Sequence, residues 1–345
     1  MPESTPTPPA KGFSPALALR SFIGGLLMGF ANVVPGISGG TMLLMIGVYQ
    51  RFVAGVAEVS TLVLRFPSLA LLTCIGLGAG ISILLSAGPI KDAVVEHRWI
   101  AFSLFIGLRL GAIPIVLKLC RPFNAKVWAG IAAGLVITAL LGMAQYSGDG
   151  AQTSSNSVWY IRFAAGLAGA SATILPGMDG SYFLLLMGQY VPILGAIDRF
   201  KDALTAGDVS AAIAQIIFLL PVAVGVALGL GGVSLLLRYL FKHHLAVTGG
   251  VLMGVLVGAV FGLWPFRQPV QPAIGQTLGN LTITADNLAS LPKEDWPIAF
   301  FTPTPMQILI SLALIAAGIA IAYVFTLLDP NESELQSKPS KQYSK

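Results

Sequence analysis

Two stretches decide how this chain folds: NVVPGISGGTMLLMIGVYQR, from Asn32 to Arg51, and TILPGMDGSYFLLLMGQYVP, from Thr173 to Pro192. Sliding the chain by 141 residues superposes them with seven identities in twenty: Pro35 on Pro176, Gly36 on Gly177, Gly39 on Gly180, Leu43 on Leu184, Leu44 on Leu185, Gly47 on Gly188 and Tyr49 on Tyr190. Leucine matches come easily in an apolar chain, whereas spaced Pro, Gly and Tyr matches do not. The motifs interrupt two long apolar stretches, 21–50 and 163–197. Proline removes a helical hydrogen bond and glycine frees the backbone to turn, so each stretch reads as two half-helices meeting at a break. A half of about 14 residues is only about 21 Å long. Each pair therefore reads as a re-entrant hairpin, its irregular tip shielded by protein or lining a wet cavity.

The rest of the chain agrees with a membrane setting. Of 345 residues, 55% are hydrophobic and 10% are charged, against about 25% charged in soluble chains, and the mean hydropathy is +0.81. Six further stretches reach the roughly 20 apolar residues that cross a bilayer: 66–87, 99–117, 127–146, 209–237, 245–266 and 306–328. The net charge of +5 is spread over loops, with none of the basic density that nucleic-acid binding needs. Cys74 and Cys120 have no metal-ligand spacing and read as packing residues. No removable signal peptide is expected.

One hairpin followed by three spans occurs twice, which gives an all-α polytopic membrane protein of two repeats. A cytoplasmic tail occupies 1–20, the first repeat 21–157, the second 158–328 and a second tail 329–345. A weaker echo sets Gly107 and Gly111 against Gly254 and Gly258. Because a hairpin returns to its own side and three spans follow, the second copy starts on the opposite face, so the repeats are expected to be inverted. Lys and Arg counts favour this arrangement. With re-entrant hairpins, the side holding both termini collects twelve basic residues and the other seven; with two kinked crossings the bias nearly vanishes. The positive-inside rule then puts both termini in the cytoplasm. The long connection 267–305 falls outside and is expected to cap an outward cavity.

Two charged residues lie within the membrane: Arg109, near the centre of 99–117, and Asp179, in the second tip. An unpaired charge there costs about 2.5–3.5 kcal/mol even on an insertion scale. Two readings stand. In one they form a structural ion pair; in the other Arg109 draws an anionic group to the midplane while Asp179 tunes it or carries a coupling proton. The half-helix after each tip points unpaired N–H groups and positive dipole inward, which suits phosphate. In the first tip, Pro35, Gly36, Ser38, Gly39, Gly40 and Thr41 offer close backbone approach and two hydroxyls; in the second, Pro176, Gly177, Asp179, Gly180 and Ser181 take those places. The competing account is that the glycines only let helices pack closely. His97, His243 and His244 fall in loops and rank low as metal or acid–base groups, so no metal site or catalytic residue is expected. Tyr49 and Tyr190 read as interface anchors.

NVVPGISGGTMLLMIGVYQRF and ILPGMDGSYFLLLMGQYVPIL, with GLRLGAIP at 107–114 and Trp264-Pro265, resemble the bacterial polyprenyl-phosphate (undecaprenyl-phosphate) transporter family over about residues 20–328. The resemblance implies a flippase of the bacterial plasma membrane. It would return undecaprenyl phosphate from the outer to the cytoplasmic leaflet for reuse in cell-envelope synthesis. It also carries the tip residues over as the headgroup cradle. The family usually has an apolar residue at the place of Arg109 and often a serine at that of Asp179, so the roles of these two are open. Alternating access between inverted repeats follows from that likeness, with a proton or sodium ion as the coupling ion and no other cofactor. The partners are the lipid substrate and the bilayer, with no nucleic acid; oligomeric state is left open. The alternatives are a lipid phosphatase of inverted-hairpin plan, for which the glutamate cluster and Ser-Arg-Ser tip are missing, and a small-anion channel.

If 21–50 re-enters, single cysteines introduced by Ser14→Cys and Ser60→Cys, in a background without Cys74 and Cys120, react with an impermeant thiol reagent from the same compartment. Labelling from opposite compartments would mean that the stretch crosses.

Overall fold

The computed structural model describes residues 14–60, 65–146, 159–173, 180–233, 240, 243–278, 281–289 and 291–327. Helix α1, Pro15–Val33, opens on a Ser14 hydroxyl that accepts from the Leu17 N–H at 3.3 Å, with proline at the first helical position. It stops where Pro35 forces its predecessor out of helical geometry: Val34 has φ −94° and ψ 109°. This arm is 19 residues long rather than about 14, and is by itself apolar and long enough to cross.

The return arm is broken a second time. Helix α2, Gly39–Met45, ends at Gly47, whose φ of +76° turns the chain into α3, Tyr49–Ser60. The Gly47 N–H donates to the Leu44 carbonyl and the Val48 N–H to that of Leu43. The second hairpin repeats this: α7 is Trp159–Thr173, α8 is Ser181–Leu186 and α9 is Tyr190–Ala206. There Gly188, at φ +69°, donates to Leu185, and Gln189 to Leu184. The matched Gly and Tyr of the sequence motif thus mark a second corner, not a continuing half-helix. Only glycine adopts that left-handed turn without strain.

The remaining long helices are α4 Phe66–Glu96, α5 Arg98–Leu119, α6 Ala125–Tyr146, α10 Val209–Leu228 with one π-helical turn Gly229–Val233, α11 Leu245–Gly262 and α12 Pro305–Leu327. Among the described residues four helices can cross a membrane by length and composition: Pro15–Val33, Phe66–Glu96, Val209–Gly232 and Pro305–Val324. Leucines and isoleucines such as Leu77, Leu85, Ile217, Leu220, Leu309 and Leu312 point outward from them, as a lipid-facing surface requires. The 267–305 connection departs from the all-helical expectation. Two short antiparallel pairs form in it, β1 Arg267–Pro269 with β4 Ile298–Phe300 and β2 Thr277–Leu278 with β3 Leu281–Thr282.

Glycines set the helix pairing. A Cβ added at Gly25 would lie 2.2 Å from the Ile75 carbonyl oxygen, and one at Gly78 2.3 Å from that of Phe22, joining α1 to α4. Gly166 meets Val222 and Gly225 meets Phe163 in the same way, joining α7 to α10. These are the same positions shifted by 141 and 147 residues. Likewise Gly107 meets Ile315 between α5 and α12, and Gly254 meets Ile131 between α11 and α6. In each pair the contacts advance in the same direction along both helices, so the partners run parallel. Backbone approach of this kind is how small residues hold helices together in lipid. The return arm also packs on α4: the Cβ site of Gly55 lies 3.3 Å from the Leu72 side chain. Both arms therefore lie along the same early stretch of α4.

Tyr190 corrects its reading as an interface anchor. It is 2% exposed, and its hydroxyl donates to the Val33 carbonyl at the end of α1. Around it Val33, Val34, Phe102, Phe105, Leu108 and Leu194 form the largest buried cluster, which joins the first tip to α5 and α9.

Tyr190→Phe leaves the Val33 acceptor without this donor in a dry setting and is expected to cost about 1–3 kcal/mol, read as a lower unfolding midpoint in detergent. Gly254→Leu should cost about as much by forcing α6 and α11 apart. Gly80→Ala, where nothing lies within 4 Å of an added Cβ, should leave that midpoint unchanged or slightly higher.

Candidate functional site

The first tip is a short irregular segment between α1 and α2. Pro35 is fully buried, and Gly36 has φ +105°. A Cβ on Gly36 would lie 2.6 Å from the Leu108 Cβ and 3.4 Å from the Arg109 backbone nitrogen. The tip therefore rests directly on the middle of α5, and only glycine permits both the turn and the approach. Ser38 begins α2: its hydroxyl oxygen accepts from the Thr41 N–H at 3.5 Å, which leaves its own proton available to a ligand. Ser38 and Thr41 are 9% and 8% exposed. Gly39 and Gly40 are buried in the first turn of α2. The Cβ site of Gly39 falls 2.5 Å from the Asn32 Oδ1, so the amide of Asn32 lies against the start of that helix.

In the second tip, Pro176, Gly177 and Asp179 lie outside the described residues, and with them the question of an Arg109–Asp179 pair. Gly180 and Ser181 are described. The Gly180 carbonyl accepts from the Phe183 N–H at 3.1 Å and faces Gly169 of α7. Ser181, 2% exposed, starts α8.

Arg109 connects the two. It is 4% exposed, and its guanidinium carbon lies 3.9 Å from the centre of the Tyr182 ring, next to Ser181. Its backbone supports the first tip while its side chain covers the first turn of α8. Cation–π contact of this kind is strong when desolvated, and it holds a positive charge close to where the first tip rests on α5. Tyr182 and Leu186 pack in turn on Val255 of α11. Of the expected residues, the structure brings Gly36 and Arg109 together, with Ser38, Gly39, Gly40 and Thr41 following on from Gly36 and Ser181 preceding the Tyr182 that Arg109 touches. Tyr182, Tyr190 and Asn32 complete it and were not anticipated. The signal for Tyr190 was present as a matched tyrosine; Tyr182 faces no tyrosine in the first copy and gave none.

Among the described residues no group of three or more His, Cys, Asp or Glu is placed to hold a metal ion. The candidate site offers the Arg109 cation, the hydroxyls of Ser38, Thr41 and Ser181 and the buried backbone of Gly39 and Gly40, groups of the kind that hold an oxyanion.

Comparison with known proteins agrees in kind. A family profile described as undecaprenyl phosphate translocase-like matches residues 28–278. A Vibrio cholerae protein named polyprenyl-phosphate transporter is 26% identical over 317 residues, covering 88% of this chain and 94% of its own. A Staphylococcus aureus protein of the same name is 32% identical over 253 residues, covering 70% of this chain and 84% of its own. No solved structure matches. The chain belongs to the undecaprenyl phosphate translocase-like family.

Proposed function

We propose that this protein carries undecaprenyl phosphate from the outer to the cytoplasmic leaflet of a bacterial plasma membrane, with both termini in the cytoplasm. The observation that carries this reading is Arg109, buried at mid-helix between the backbone of the first tip and the Tyr182 ring. A cation so placed attracts an anionic headgroup. Ser38, Thr41 and Ser181 supply neutral donors, and the role given to Asp179 of the second motif is to tune the charge or carry a proton. The isoprenoid tail stays in lipid.

The repeats are read as inverted, and the helix directions support this. If successive spans alternate, the parallel pairing of α6 with α11 and of α5 with α12 sets α10 antiparallel to α4. The matching contacts at shifted positions then relate two units of opposite orientation, each a hairpin with three spans. Such pairs support two facing states of similar energy. Bringing a phosphate inward against a negative-inside potential costs about 2.3 kcal/mol per charge per 100 mV, so a proton or sodium ion moves with it. The relatives carry the name of transporters rather than of enzymes.

The test is return of labelled polyprenyl phosphate across reconstituted vesicles. Arg109→Gln is expected to slow return by about tenfold or more and Ser38→Ala by less, since a hydrogen bond to a charged group is worth about 1.5–3 kcal/mol. Parental rates in both variants would remove these residues from the site. A dependence of the parent rate on an imposed pH or sodium gradient identifies the coupling ion.

A further inference from the structure

Away from the tips, a second set of charges is packed between α4, α9 and the 267–305 connection. Lys91 Nζ lies 3.0 Å from Asp198 Oδ2 and 3.8 Å from Glu294 Oε2. Arg199 donates to the other oxygen of Glu294. Asp198 is held on its other side by Lys201 at 2.5 Å, and Asp92 approaches Lys91 at 3.4 Å. The Asp198 carboxylate raises the Lys201 ammonium above its ordinary value, so that partner stays charged at neutral pH. The side chains of Lys91, Asp198 and Glu294 are only 17%, 14% and 11% exposed. Gly88 and Gly195 leave them room: Cβ atoms there would fall 2.3 Å from Asp198 Oδ1 and 2.9 Å from Glu294 Oε2.

The two carboxylates are not equivalent. Asp198 belongs to α9 and moves only with the helix. Glu294 sits in the three-residue turn Lys293–Asp295, which is tied down by the Trp296 N–H to the Lys293 carbonyl, the Trp296 indole to the Leu291 carbonyl and a long pair from Lys293 to Glu96. Two of these ties are local, so the carboxylate can leave while α4 and α9 stay packed. What it leaves behind is a lysine and an arginine with one anion fewer between them. A phosphate monoester offers more negative charge and more acceptor oxygens to such a pair than a carboxylate does.

Resting on the orientation proposed above, which sets this cluster at the outer mouth, we propose that Glu294 is an internal stand-in for the incoming anion. Lys91 and Arg199 form an entry site for a lipid phosphate headgroup, closed by Glu294 and opened when the phosphate displaces it. The connection thereby acts as a plug released by the substrate's own charge.

The probe is farnesyl phosphate binding to the full-length purified protein, with farnesol and inorganic phosphate as companion arms. All variants carry Arg109→Gln so that the tip site is silenced. Glu294→Gln, which keeps the shape and removes the charge, is expected to raise farnesyl phosphate affinity by about tenfold. Adding Arg199→Gln should abolish that gain, and Arg199→Lys should restore much of it, which separates loss of charge from loss of fold. Inorganic phosphate sharing the gain supports an anion site that reads the headgroup alone; a gain confined to farnesyl phosphate supports one that reads headgroup and tail together. Unchanged affinity in Glu294→Gln, a gain that survives Arg199→Gln, or an equal gain for farnesol overturns the proposal. Slow return by Arg109→Gln in vesicles with no effect of Glu294 on binding would sink the entry site and leave the transport reading standing. The opposite pair of results would do the reverse.

Discussion

A helix that ends inside hydrocarbon leaves carbonyl groups that no lipid can satisfy, and this protein meets that constraint by making its elements complete one another. The end of α1 is the clearest case. Val33 loses its place in the helical ladder because Pro35 follows, and a tyrosine 157 residues away supplies the missing donor. That hydroxyl comes from the second hairpin, at the residue just beyond the Gly188 corner, so neither break is stable as drawn without the other. At the start of α2 the converse need is met locally, where the Ser38 hydroxyl oxygen accepts from the Thr41 N–H. Arg109 extends the pattern to charge: it is covered by an aromatic ring from α8 and itself underlies the first tip.

Much of this was legible in the chain. The break at Pro35-Gly36, the matched corners at Gly47 and Gly188 and the membrane setting follow from residue chemistry at fixed spacing, which also singles out Ser38, Thr41, Ser181 and Arg109 as candidates. What escaped was any interaction between distant positions. The pairing of Tyr190 with Val33 joins separate repeats, and a tyrosine at the end of an apolar run reads more naturally as an interface residue. The corner at Gly47 was visible as a matched glycine, but a lone glycine in an apolar run has several uses and only its positive φ singles one out. The Lys91, Asp198 and Glu294 cluster brings together parts of the chain 107 and about 200 residues apart, and each charge alone resembles an ordinary loop residue. Close helix packing falls to the glycines of the long helices, whereas Gly36, one of the tip glycines for which packing was the competing account, shapes the tip against α5.

The division of labour between glycines and charges has a physical basis. In lipid there is little gain from burying one apolar side chain against another, so the long helices associate through backbone contact, which glycine alone allows. Charged side chains are costly at depth, and Arg109 at the middle of α5 is covered by the Tyr182 ring, while Lys91, Asp198 and Glu294 pair with one another beside α4 and α9.

The glycine-lined pairs carry one more implication. Surfaces without protruding side chains interlock weakly along the helix axis, while resisting separation across it. Paired rods of that sort shear more readily than they part, so on the proposed transport reading the compliant motion is axial slippage of α1 on α4 and of α7 on α10.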